Sequence, residues 1–360
     1  MSKHDVVIVG AGPAGSAAAI FCAQHGLRVA LLEQSAVCRD RPGETLPPGI
    51  EPLLQQLGIA HEILQGSFIR HTGNWVQWGT ERHFNAFGGE PDNPWRGFQI
   101  PRRLFDSLLL SQAQASGVSV VRPCRAKKVI RKDDSVIGVE TDKGVFPCSY
   151  MIDASGGNGW LARQLALERL AFSPRLLAMY GYARGTSAVC DETPHIIADK
   201  DGWYWIAQIG ADSYTWTRLN FDSRQPTNRQ PPSAFEHLHD FSKIRGVDVT
   251  WRACRHCAGA GYFMVGDAAS VIDPGASHGV LKAIMSGMMA AHAVVNLLDH
   301  PAHHRTIQQQ YRHWLNSWFV RDMEKMRELY AAHQAPPRWL AVSHGPALII
   351  QIDTCSAYGI

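Results

Sequence analysis

The chain has 360 residues, 45% of them hydrophobic and 19% charged. That balance suits a globular protein long enough for two units sharing a core and excludes a disordered chain. The formal net charge is +3 with no lysine- or arginine-rich block, which argues against a surface that tracks nucleic acid or a polybasic membrane anchor.

The stretch MSKHDVVIVG runs from a short polar lead straight into a strand pattern. It lacks the charged lead, apolar run and cleavage site of an export signal, so a cytoplasmic location is expected. Asp5–Gln34 predicts a strand over Val6–Val9, a glycine turn, a helix with small residues on one face, and a second strand over Val29–Leu32 closed by Glu33. Gly10, Gly12 and Gly15 stand in GxGxxG spacing. Gly10 makes the tight turn, Gly12 lets backbone N–H groups approach a pyrophosphate, and Gly15 lets helix and strand pack closely. Ala14, in the same turn, joins them as a cofactor contact. The helix would aim its positive end at the phosphates, and Glu33 would accept hydrogen bonds from the ribose hydroxyls. A dinucleotide site follows, with FAD and NAD both open at this point.

Further along, Pro47 and Pro48 stiffen a loop before a helix starting at about Ile50. His71–Trp95 alternates as a hairpin would, and RLLAMYGYARG, PHIIADKDGWYWIAQIG and YTWTRLNF read as strands of one antiparallel sheet. Trp75, Trp78, Trp203, Trp205 and Trp216 fall in that region, most of them as core. A period of two puts Trp203 and Trp205 on one strand face, where the pair would line an apolar substrate pocket that keeps bulk water from a reactive intermediate. Asp222–Ser233 is expected to be a mobile loop.

Cys254 and Cys257 form a CxxC without two further ligands at zinc spacing and without the strand-then-helix setting of a redox pair. They and the chain's other cysteines, eight in all, read as reduced core residues with no metal. In GYFMVGDAASVIDPGASHGVLKAIMSG, a strand over Tyr262–Val265 delivers Gly266 and Asp267 into a loop, and Asp273, Pro274, Gly275, Ser277 and Gly279 precede a long helix. Asp267 is placed to accept hydrogen bonds from a sugar-like chain, and a helix starting near Gly279 can stabilise negative charge on a flavin edge. NAD has no ribityl chain to need this, so FAD is the expected cofactor. Val280–Leu298 is interrupted by Lys282, His292 and Asn296, so a buried helix is expected rather than a membrane span. Gln308–His333 has helical periodicity with mixed charge, the pattern of a packing helix whose exposed aromatics can also dock a protein.

With these motifs in order, the chain resembles the FAD-dependent monooxygenase and halogenase superfamily. MIDASGGNGWLAR (Met151–Arg163) is similar to its middle motif, and IPRRLFDSLLLSQAQASGVSVV to its Arg-x-x-Phe-Asp helix. The resemblance implies an α/β fold in which a Rossmann-like FAD-binding domain of the glutathione-reductase and hydroxylase type carries an inserted antiparallel-sheet substrate domain. The FAD-binding part would be residues 1–65, 97–170 and 258–360, and the substrate part 66–96 and 171–257. It also implies that Arg102 contacts the flavin and that RDRPGETLPPGIEPLLQQLG passes the ring, bringing Arg41 and Glu44 close. Pro274 would lie beside the ring, and His278 would be either a proton relay or a solvent-facing loop histidine.

WYWIAQIG keeps the two tryptophans of the halogenase Trp-x-Trp-x-Ile-Pro motif but lacks its isoleucine–proline ending, and no lysine occurs between Lys3 and Lys127. Halogenation is therefore the disfavoured expectation. The short length, RPGETLPP and GDAASVIDPGASHG look like the flavoprotein maturases of tryptophylquinone enzymes, which implies oxygenation of a protein-bound tryptophan. A precursor of a quinone-cofactor oxidase would be the partner, and NAD(P)H or a flavin reductase the electron donor. The rivals are a small-molecule aromatic hydroxylase, a prenyl reductase and a non-enzymatic flavoprotein chaperone.

Overall fold

The computed structural model describes residues 3–186, 191–222, 230–240 and 242–341. Residues 223–229 of the expected loop and residues 342–360 of the carboxyl-terminal segment lie outside them.

The first layer is a mixed sheet. His4–Val9 lies at its centre, parallel to Val29–Leu32 on one side and to Gly144–Asp153 on the other, and Ser119–Val121 extends it in parallel. All four residues of Val29–Leu32 are buried, as a parallel strand covered on both faces requires. Gly144–Asp153 is long enough to serve two further partners on its other edge. Its first half pairs antiparallel with Ser135–Thr141, and its end pairs parallel with Tyr262–Met264. The last strand thereby delivers Gly266 and Asp267 beside the end of the first.

Helix α1 (Pro13–Gln24) packs on this sheet, and α2 (Arg102–Ala115), α3 (Gly279–Asp299) and α4 (His304–Ala331) follow in chain order. A Cβ on Gly287 of α3 would stand 2.2 Å from the Ala14 carbonyl oxygen, so α1 and α3 meet backbone to backbone. Among the described residues α3 is the one helix long and apolar enough to cross a bilayer, and 61% of its apolar window is buried inside the protein. It is a core helix. Helix α4 begins at His304 rather than near Gln308, because the turn Pro301–His303 leads directly into it.

The second layer is an eight-stranded sheet. Leu177–Arg184, Ser213–Asn220, Gly202–Gly210 and His195–Asp199 pair antiparallel in that order. Gly73–Gln77 and His83–Ala86 form the expected hairpin, but Gly73–Gln77 joins His195–Asp199 in parallel. The sheet is therefore mixed where the sequence suggested a purely antiparallel one, since strand direction across a long excursion leaves no trace in hydrophobic alternation.

Three fully buried tryptophans, Trp203, Trp216 and Trp251, anchor the cores on the two faces of this sheet. Trp203 and Trp205 face α4, while Tyr204 and Trp216 face the other way. Thr45–Leu46, Gly97–Gln99 and Ile69–His71 form a small sheet between the two layers. Cys254 and Cys257 are buried and in no disulfide, and burial raises the pKa of Cys254.

Candidate active site

The glycine turn is fixed by contact distances. A Cβ on Gly10, whose φ is +103°, would lie 2.3 Å from the Ala154 carbonyl oxygen, and one on Gly15 would lie 1.9 Å from the Gly10 carbonyl oxygen. Gly12 differs: it is the N-cap of α1, in extended conformation, with no heavy atom within 4 Å of its Cβ position. The first backbone N–H groups of α1 therefore open onto free space, the arrangement that receives a phosphate. Beside them, Glu33 accepts the Ala11 N–H at 2.9 Å and the Ser35 N–H at 2.8 Å. Each oxygen keeps a further acceptor position for a sugar hydroxyl.

Across α1, Gly266 donates its N–H to Ser286 Oγ at 2.9 Å, and its Cβ position lies 3.2 Å from the Ala14 Cβ. Asp267 follows, with its side chain accessible to water but walled by protein on its other sides. Desolvation raises its pKa against the pull of Lys282, Arg102, Arg252 and Arg41. Among the described residues its carboxylate makes no hydrogen bond. A carboxylate walled on most sides, open on one and taking no hydrogen bond from the described residues suits a polyol with hydroxyls to give. The turn, Glu33 and Asp267 together fit an FAD.

The loop after the second strand is held from beneath. Arg102, on the first turn of α2, donates to both carboxylate oxygens of Asp106 at 3.0 and 3.1 Å and to the Pro42 carbonyl at 2.8 Å. This buried guanidinium fixes the backbone on which Arg41 stands exposed and Glu44 buried. Glu44 accepts the Tyr182 hydroxyl at 2.6 Å, and desolvation pushes its carboxyl up to about 7, opposed by the Tyr182 bond and the charge of Arg102. Next to it, Thr45 donates to Gln99 at 2.9 Å and accepts the Trp205 indole N–H at 3.2 Å. Glu44 and Thr45 thus tie the cofactor layer to the second sheet.

Trp203 is enclosed: its indole N–H donates to the Tyr330 hydroxyl at 3.0 Å, and its ring edge lies 3.5 Å from the Cβ position of Gly275. The same loop carries Pro274, at the first position of a short turn capped by Asp273, and ends at Gly279, whose Cβ position is open. His278 precedes α3 and pairs with Asp322 of α4 at 3.0 Å. The structure adds groups that sequence reasoning missed, namely Tyr182, Thr45, Asp322, Lys282 and Tyr330. Each meets its partner across a sheet or from a helix distant in sequence, so no local pattern marks it.

Residues 3–313 match the family model described as FAD binding domain. The chain belongs to this family. FAD is its cofactor, and the α/β architecture is that of the family's hydroxylases and halogenases. A tryptophan 2-halogenase of Chondromyces crocatus is 26% identical over 348 residues, covering 89% of this chain and 66% of that enzyme, so the chain spans just under two thirds of the relative. Among solved structures, the myxobacterial chondrochloren halogenase CndH superposes with a TM-score of 0.84 at 22% identity, covering 95% of this chain and 86% of that one. The peptidyl tryptophan dihydroxylase QhpG, essential for tryptophylquinone cofactor biogenesis, gives 0.73 at 21% identity, covering 94% and 78%. These likenesses lend no support to the expectation that halogenation is disfavoured.

Proposed function

We propose that this FAD-dependent oxidoreductase oxygenates an electron-rich aromatic ring, with a protein-bound tryptophan as substrate. The observation that carries the reading is the buried Glu44 carboxyl, pushed up to about 7 and bonded to Tyr182 at 2.6 Å where the cofactor layer meets the aromatic sheet. A carboxyl titrating near neutrality can take or give a proton under working conditions. Bound FAD supplies the redox and oxygen chemistry.

The chain's own residues do the rest. Gly10, Gly12, Ala14 and Gly15 seat the pyrophosphate, Glu33 the ribose, and Asp267 the ribityl arm. Arg41, with Arg102 behind it, Pro274 and Gly279 border the ring. Glu44 moves the proton, and His278, held by Asp322, offers a second one. Trp205 and the enclosed Trp203 exclude water from the roof. Electrons come from NAD(P)H directly or through a flavin reductase, and the protein substrate is the precursor of a quinone-cofactor oxidase.

Halogenation is the second reading, favoured by the named activity of the Chondromyces relative. One experiment separates them. The FAD-loaded protein is reduced, mixed with oxygen and a tryptophan-containing peptide with and without bromide, and the peptide is weighed by mass spectrometry. Gain of oxygen independent of bromide is expected. Replacement of hydrogen by bromine overturns the oxygenase in favour of the halogenase, and an unchanged peptide overturns the tryptophan assignment.

A further inference from the structure

Behind the loop Pro274–Ala276, Trp203 joins a cluster whose other members, Asp273, Tyr330, Trp251 and Trp339, have no part in binding or oxygenation. Asp273 is buried and accepts three hydrogen bonds, from the Trp251 indole at 2.5 Å, the Tyr330 hydroxyl at 2.8 Å and the Gly275 N–H at 2.9 Å. Three converging donors favour the carboxylate form, against the desolvation that pushes this carboxyl up to about 6. Tyr330, also fully buried, receives the Trp203 indole N–H at 3.0 Å. The Trp251 ring centroid lies 5.7 Å from that of Tyr330 and 5.2 Å from that of Trp339. Trp339 is half-buried and lies 6.1 Å from Tyr330.

The run is therefore continuous from the Gly275 backbone to the surface, through a hydrogen bond from Trp203 to Tyr330 and ring neighbours from Tyr330 to Trp251 and Trp339. Indole and phenol are the side chains most easily oxidised by one electron. A phenol gives up its electron far more readily when a base already holds its proton, and here Asp273 is that base.

We propose that Trp203, Tyr330, Trp251 and Trp339 form a one-electron relay that drains oxidising equivalents from the cofactor loop to the protein surface, with Asp273 taking the phenol proton. An electron acceptor of one-electron type at the loop, a role that bound FAD would supply on illumination, takes an electron from Trp203 and is reduced by one electron. Tyr330 refills Trp203 and becomes a neutral radical as its proton passes to Asp273 Oδ2. A surface one-electron reductant of the ascorbate or thiol class returns the electron through Trp339 and Trp251, and the proton goes back from Asp273 to the phenol. The relay goes beyond the proposed function and needs the flavin only as the site of the oxidant, so it holds for oxygenase and halogenase alike.

The test uses the FAD-loaded protein, its flavin content first verified by absorbance so that failure to bind cofactor is recognised separately. A blue flash makes the bound oxidised flavin the oxidant, and transient absorption and electron paramagnetic resonance read the protein radicals. The wild type is expected to give a tyrosyl signal that ascorbate quenches. Tyr330→Phe keeps the ring and should abolish the signal. Trp339→Phe, at the half-buried end, should keep the signal but lengthen its life in ascorbate. Under continuous blue light in air, peptide mass spectrometry should show more oxygen adducts on Trp203 and Met326 in Tyr330→Phe than in the wild type. Met326 abuts Gly275, with its Cε 2.8 Å from the Cβ position. Absence of a tyrosyl signal in the wild type, its survival in Tyr330→Phe, wild-type decay in Trp339→Phe, or an unchanged adduct map overturns the relay.

Discussion

The two sides of the site are built on different principles. The glycine turn is local and steric: its shape is set by backbone atoms within a few residues and by Ala154 of the neighbouring strand. The roof, where Glu44, Thr45, Tyr182 and Trp205 meet, joins segments far apart in sequence through two side-chain hydrogen bonds. The first kind tolerates almost no change in atom count, whereas the second tolerates change at a measurable cost and carries the titratable chemistry.

The sharpest way to break this contrast is Gly15→Val. Its Cβ would fall 1.9 Å from the Gly10 carbonyl oxygen, so overpacking of at least about 3 kcal/mol is expected, with loss of bound flavin read by absorbance and a lowered melting temperature. Survival of full flavin binding would show that the turn is not sterically determined.

Next in size is the pH response of the roof. Glu44 rises from the ordinary 4.5 to about 7 on folding, so the folded state binds this proton more tightly than the unfolded one. The stability it contributes is complete below about 4.5 and is lost as pH rises towards about 7. The loss amounts to about 3 kcal/mol. Glu44→Gln should flatten that slope in denaturant titrations at several pH values, and remove an inflection near neutrality from the pH profile of the oxidative half-reaction. An unchanged inflection would assign it to another group.

Tyr182→Phe should cost about 1 to 2 kcal/mol by unfolding. Because the Tyr182 bond lowers the Glu44 pKa, its removal should also move the inflection to higher pH. The smallest change is expected for Trp205→Phe. It forfeits one neutral hydrogen bond to Thr45 along with some ring area, at about 1 kcal/mol or slightly more, and leaves flavin affinity as it was.

The same contrast explains what could be read in advance. Val29–Leu32 was legible to the residue and the start of α3, expected near Gly279, was legible to within a residue or so, because glycine spacing and apolar runs are local signals. The hairpin expected over His71–Trp95 forms over residues 73–86, so its alternation was legible but its far limit was not. The parallel joining of Gly73–Gln77 to His195–Asp199 was not, nor was the pairing of Glu44 with Tyr182. Nothing near Tyr182 distinguishes it from the core aromatics around it. The two tryptophans of WYW share a face as period two requires, yet their indole N–H groups go to different partners, Tyr330 and Thr45. Backbone alternation fixes the face of a side chain and leaves open what it meets there.

The backbone contact between α1 and α3 bears on how the protein is made. Ala14 comes far earlier in the sequence than Gly287, which must lie against it. The nucleotide cradle thus emerges long before the helix that buttresses it and the acidic turn beside it. The cradle therefore reaches its final form only once Gly287 has been made, and before then the apolar side of α1 that faces α3 has no cover.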